Sequence, residues 1–235
     1  MTGVGRSGAQ KAEQGGGAQE AGGTGARVAP GWLRRLARAA GQMPVSTHLR
    51  PPRAGGRASA VLVLFGEGPD GPDVLLTQRS AGMRRHAGQV AFPGGAIDAS
   101  DAGPVAAALR EAAEETGLDP VGVEVVGVLP ELFVARSGFR VIPVLAWWSQ
   151  PCPVGPANPA EVAAVARIAI ADLTDPANRF TVRHPSGIAG PAFRVGSLLV
   201  WGFTAGILDR LLVLSGFERP WDASRVEDLP PSALG

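Results

Sequence analysis

From Ala60 to Gly216 the chain runs as short apolar blocks of strand length, interrupted by two longer stretches with a helical period. "SAVLVLFG" and "DVLLTQR" read as two strands joined by the turn "EGPDGP", a hairpin signal. "QVAFPGGAID" follows as a short strand running into a Gly-Gly turn. A helix is predicted over Pro104–Thr116, with Pro104 suited to the first helical position and Gly117 to the C-terminal cap. "VGVEVVGVLP", "RVIPVLAWW" and "EVAAVARIAI" are further strands, and "SLLVWGFTAGILDRLLVLSG" leads into a long, largely buried helix. Upstream, "GWLRRLARAAG" places Trp32, Leu33, Leu36 and Ala40 on one stripe and Arg34, Arg35 and Arg38 largely elsewhere. It predicts a short amphipathic helix packed onto the domain. Mixed strands with helices and no internal repeat predict the α/β class, a layered sandwich with a mixed sheet.

Composition adds the boundaries. Residues 1–30 are Gly/Ala/Gln-rich with almost no large apolar side chains, so they are expected to be a disordered tail. Residues 31–225 then form a single domain, and 226–235 a flexible C-terminal tail. A formal charge of +1 lacks the basic excess of a nucleic-acid footprint, so no nucleic-acid partner is expected. Cys152 is the only cysteine, in keeping with a reducing, cytoplasmic setting. No apolar run approaches the ~18–20 residues that span a bilayer, and no membrane partner is expected. The oligomeric state stays open, a homodimer included.

The Pro104–Thr116 helix carries the chemistry. Glu111, Glu114 and Glu115 stand at i, i+3 and i+4, where like charges repel. Two of them also lie near the negative end of the helix dipole. Helix stability does not explain them; a bound cation would, with a solvated acidic face as the alternative. Val105, Ala108, Leu109 and Ala112 form an apolar stripe for packing, and the glutamates occupy the adjoining arc. Carboxylates converging from one rigid helix suit Mg²⁺ or Mn²⁺, and Arg110 is placed to orient one of them. Just upstream, Gly94 and Gly95 in "FPGGAID" let backbone N–H groups approach an anionic ligand.

"GAIDASDAGPVAAALREAAEETGL" (Gly95 to Leu118) resembles the Nudix box: a glycine, an acid, then Arg-Glu-apolar-any-Glu-Glu-any-Gly-apolar. Arg110, Glu111, Ala112, Glu114, Glu115, Gly117 and Leu118 fill every fixed position of the second half. In the first half the acid is Asp101 rather than Glu, and eight residues separate it from Arg110 where the pattern has seven. Both departures precede the helix, so no site role is assigned to Asp101. "LLTQRSAGMRRHAGQVAFPGG" (Leu75 to Gly95) resembles the segment before the box in coenzyme A pyrophosphatases of this superfamily, with Arg79, Arg84, His86, Gly88 and Gln89 in matching places. "SGFRVIPVLA" and "VWGFTAGIL" resemble downstream segments of that group.

The resemblance implies a Nudix-type α/β/α sandwich and a metal-dependent hydrolase acting on a small molecule. It would cleave the diphosphate of coenzyme A or a derivative to 3′,5′-ADP and 4′-phosphopantetheine products. Another nucleoside diphosphate derivative, NADH or ADP-ribose, is the rival substrate class, and a non-catalytic nucleotide-binding regulator the rival of another kind. Arg79, Arg84 and Arg85 offer forked donors to phosphate oxygens. His86 either contacts phosphate or holds its loop. Glu161 is a candidate extra carboxylate from outside the box, as such enzymes often add one as a ligand or base. Trp147, Trp148, Trp201 and Phe203 are read as core, and His48 and His184 as ordinary histidines.

Overall fold

The computed structural model describes residues 1, 26–52, 54–83 and 86–234. In chain order the elements are helix α1 (Gly31–Gly41), strands β1 (Arg57–Gly68), β2 (Gly71–Arg79), β3 (Val90–Ala91) and β4 (Gly94–Ala96), and helix α2 (Pro104–Thr116). Strands β5 (Val123–Val128), β6 (Leu132–Val134), β7 (Phe139–Trp148) and β8 (Val162–Ala169) come next, then the short helix α3 (Ile170–Thr174). Strands β9 (Arg179–Arg183), β10 (Ala189–Val195) and β11 (Leu198–Val200), helix α4 (Gly202–Ser215) and strand β12 (Val226–Asp228) complete the chain.

Strands β1 to β8 make one mixed sheet along the order β3-β2-β1-β7-β5, with β4 on β1, β6 on β7 and β8 on β2. β1 runs parallel to β7 from Arg57↔Phe139 to Phe65↔Trp147, so both long apolar strands lie in the middle. Successive side chains of a strand point to opposite faces, and β1 uses the alternation to build two cores. Ala60, Leu62 and Leu64 face Ala107, Ala108 and Ala112 of α2. Val63 and Phe65 face α1 and α4 through Leu33, Leu36, Leu208 and Leu211. Helices on both faces of a mixed sheet give the expected α/β sandwich. No helix among the described residues is long and apolar enough to cross a membrane.

A second sheet, ordered β11-β10-β9-β12, was not foreseen. Its strand β12 corrects the C-terminal boundary. The segment expected to be a flexible tail from residue 226 pairs in parallel with β9 (Val226↔Thr181 to Asp228↔Arg183), and Leu229 is buried behind it. The N-terminal boundary moves as well. Residues 2–25 of the expected tail lie outside the described residues, but its last residues are tied to the domain. The Trp147 indole donates to the Arg27 carbonyl at 3.0 Å, and the Ala29 N–H donates to Glu124 at 2.9 Å.

Candidate active site

Small residues set the geometry of α2. Pro104 opens it, Gly117 closes it in the left-handed conformation (φ 71°), and Ala107, Ala108 and Ala112 let the helix lie close against β1. The packed face differs from the expected stripe. Val105 and Leu109 are only half-buried, Ala107 and Thr116 are buried, and Glu115 is buried with them at 6% exposure. A carboxylate tolerates that position because β4 brings a donor to it: the Gly94 N–H donates to Glu115 Oε2 at 3.2 Å.

That contact changes the reading of the glycines. The Gly94 amide, expected to face an anionic ligand, is engaged by Glu115. A Cβ on Gly94 would come within 2.4 Å of the Ala60 carbonyl oxygen, and one on Gly95 within 2.4 Å of the Glu111 carboxyl carbon. The first position has no side chain because β4 lies on β1, the second because Glu111 lies on β4.

Arg110 ties the acidic surface together. Its Nε and Nη2 donate to the two oxygens of Asp101, each at 3.0 Å, a bidentate fork of the strong kind. Nη2 also donates to the Ala96 carbonyl, and Nη1 reaches Glu111 and Glu114 at 3.1 Å each. Arg110 holds the Asp101 carboxyl below the usual carboxylate range, and Asp101 in turn raises the pKa of Arg110. Sequence reasoning missed Asp101, because the extra residue and the shorter acid lie in a loop whose path no helical spacing dictates. The Asp98 N–H, donating to Asp101 Oδ2 at 2.8 Å, folds that loop so that Asp101 faces Arg110.

The glutamates are not equivalent. Burial raises the pKa of Glu111, with Arg110 opposing and Glu114 and Asp98 adding to the rise. Burial pushes Glu115 up to about 7; the Gly94 N–H and Arg79 draw it back, and the charges of Glu111 and Glu161 reinforce it. Glu114 is exposed, 59% for its side chain, and turned to Arg110.

Around this centre the structure gathers some expected residues and not others. Arg79, at the end of β2, lies near enough to Glu115 to act on its charge. Its buried Nε has no hydrogen-bond partner among the described residues. Glu161 is exposed beside it, its carbonyl accepting the Ser80 N–H at 2.8 Å. His86, at φ 59°, donates through Nδ1 to Gln89 Oε1 at 2.8 Å and so holds its own loop. Arg84 and Arg85 lie outside the described residues.

Among the described residues no three His, Cys, Asp or Glu side chains form a ready cation cage. The donors nevertheless fit a hard divalent cation in kind. Glu111 and Glu115 supply oxygen ligands, and burial is what chiefly raises the pKa of each.

The NUDIX domain family model matches residues 56–185. The uncharacterized Nudix hydrolase NudL of Cronobacter sakazakii is 44% identical over 171 residues, covering 70% of this chain and 85% of that protein. Its counterpart in Escherichia coli K12 is 42% identical over 167 residues, 68% of this chain and 83% of that one. Among solved structures, the Nudix hydrolase RenU of M. smegmatis superposes with a TM-score of 0.50 at 21% identity. The match covers 72% of this chain and 91% of RenU, a likeness of fold.

Proposed function

The chain belongs to the Nudix family, and from that premise we propose that Glu111, Glu115 and Arg110 form the centre of a metal-dependent hydrolysis of coenzyme A or a derivative. The activity is of the Nudix pyrophosphohydrolase type, on a nucleotide-derived diphosphate. Members of the family generally require a divalent metal. The observation that carries the assignment of residues is the packing of Glu111 and Glu115 against Gly95 and Gly94, with Arg110 bonded to Glu111 and Arg79 acting on the charge of Glu115.

Glu111 and Glu115 would hold the cation, with Glu114 beside them and Glu161 as a further carboxylate from outside the box. When bound, the cation supplies positive charge that stabilises a diphosphate undergoing hydrolysis. Arg110, locked by Asp101, fixes the direction of the Glu111 carboxylate. Arg79 keeps an unused donor, suited to a phosphate oxygen, beside the same centre.

Coenzyme A is favoured by the likeness around "LLTQRSAGMRRHAGQVAFPGG" alone. Family membership supports NADH, ADP-ribose and related nucleoside diphosphate derivatives equally well, and they stand as the second reading. A product-resolved assay on coenzyme A, NADH and ADP-ribose, with and without Mn²⁺, separates them. Release of 3′,5′-ADP from coenzyme A alone supports the first reading. Cleavage of ADP-ribose or NADH with coenzyme A untouched replaces it by the second, and no Mn²⁺-dependent turnover on any of them overturns both. Glu115→Gln keeps an acceptor for the Gly94 N–H, so it should fold while losing about 10²-fold or more in kcat. Unchanged turnover would remove Glu115 from the mechanism.

A further inference from the structure

The last residue of β2 is not paired as the rest of the strand is. The β2–β8 ladder steps from Gln78↔Ala164 to Arg79↔Val162, one extra residue on β8, a bulge of the kind that re-aims side chains. Just beyond it stands Ser80, 8% exposed. A buried hydroxyl has to find an acceptor, and Ser80 Oγ donates to the Pro159 carbonyl at 2.7 Å. Its N–H donates to the Glu161 carbonyl at 2.8 Å. Both donors of one residue thus engage a single turn, distant in sequence.

That turn is firmly built. The Glu161 and Val162 N–H groups both donate to the Asn158 carbonyl, at 3.0 and 2.9 Å, and the Ala160 N–H donates to Asn158 Oδ1 at 3.3 Å. The stretch leading into it is tied to the end of α2, where helix carbonyls lack partners of their own. The Gly155 N–H donates to the Thr116 carbonyl at 3.0 Å, and the Ala157 N–H to the Glu115 carbonyl at 3.1 Å. Residues 155–161 therefore reach from the backbone of Glu115 to Ser80, with Glu161 at the far end. Arg79 and Glu161, on either side of the Ser80 joint, both act on the charge of the Glu115 carboxyl.

We propose that Ser80 is a positioning residue of the hydrolytic centre: its two bonds hold Glu161 beside Glu115, so that the carboxylate from outside α2 faces the same cation as those on the helix. The inference rests on the reading of Glu111 and Glu115 as cation ligands. Ser80 acts through Glu161, its own donors being engaged.

The test is a calorimetric titration of Mn²⁺ into the full chain without substrate, for the parent, Ser80→Ala, Glu161→Gln, the double variant and Glu115→Gln. Ser80→Ala and Glu161→Gln should each weaken Mn²⁺ binding by about tenfold, the usual scale for a partner behind a metal site. The double variant should bind as Glu161→Gln alone does, because the two residues act as one unit. A serine that served the fold alone would lower the unfolding midpoint and leave the Mn²⁺ affinity unmoved. The inference is overturned if Ser80→Ala binds Mn²⁺ as the parent does, or if its effect persists undiminished in the Glu161→Gln background. A parent that binds no Mn²⁺, or that Glu115→Gln does not weaken, would overturn the assignment of the helical glutamates and this inference with it.

Discussion

Asp101 shows how a side chain can act on its neighbours at one remove. Its fork to Arg110 leaves that guanidinium one free nitrogen, Nη1, which reaches Glu111 and Glu114. Asp101→Ala should therefore lower kcat about 10–100-fold, the usual cost of losing a partner behind a metal ligand. It should raise the Mn²⁺ concentration needed for half-maximal rate, whereas a purely structural role would leave that concentration unmoved. The helical acids could be read from the sequence because spacing on a rigid helix fixes direction. The hold by Asp101 and the contact of Gly94 with Glu115 could not, since both join segments whose approach is set by the fold.

Strands and helices with strong local patterns were legible: α1, the β1–β2 hairpin, α2 with its terminal Gly117, β7 and α4 all lie where periodicity and turn residues put them. The second sheet was not. β9 and β10 fall in "RFTVRHPSGIAGPAFRV", where Pro and Gly break the apolar rhythm, and β12 is three residues long and mostly charged. What holds β12 is pairing to a distant strand, reinforced by Glu227 between Arg194 at 2.8 Å and Arg225 at 2.9 Å. Arg194 first and Arg225 second hold Glu227 below the usual carboxylate range. A depressed folded-state pKa means the contribution is present above the ordinary carboxylate value and is lost as pH falls through the folded one. At neutral pH, Glu227→Gln should thus lower stability by up to about 1 kcal/mol, as befits a surface pair. The difference in unfolding midpoint from the parent should vanish in strong acid, and a difference that persists there would exclude the ion pairs as its cause.

The whole molecule is divided by its main sheet, with the acidic helix on one side and the amphipathic α1 on the other. Leu36 of α1 is 1% exposed in the larger core, and truncation to alanine should cost about 2–5 kcal/mol by denaturant unfolding. Its distance from the acids predicts an undiminished Mn²⁺ response in the protein that remains folded. The general architecture could be foreseen because long apolar runs and one helix-breaking Pro–Gly frame dominate it; the extent of the domain at both ends could not, because hydrogen bonds to Arg27 and to β12 come from remote strands. β1 feeds both cores by turns, Ala60, Leu62 and Leu64 to one and Val63 and Phe65 to the other. Gaining or losing a single codon in that strand would transpose its downstream side chains between the two compartments at once. The chain is accordingly intolerant of insertions and deletions in a strand that lies outside the acidic helix.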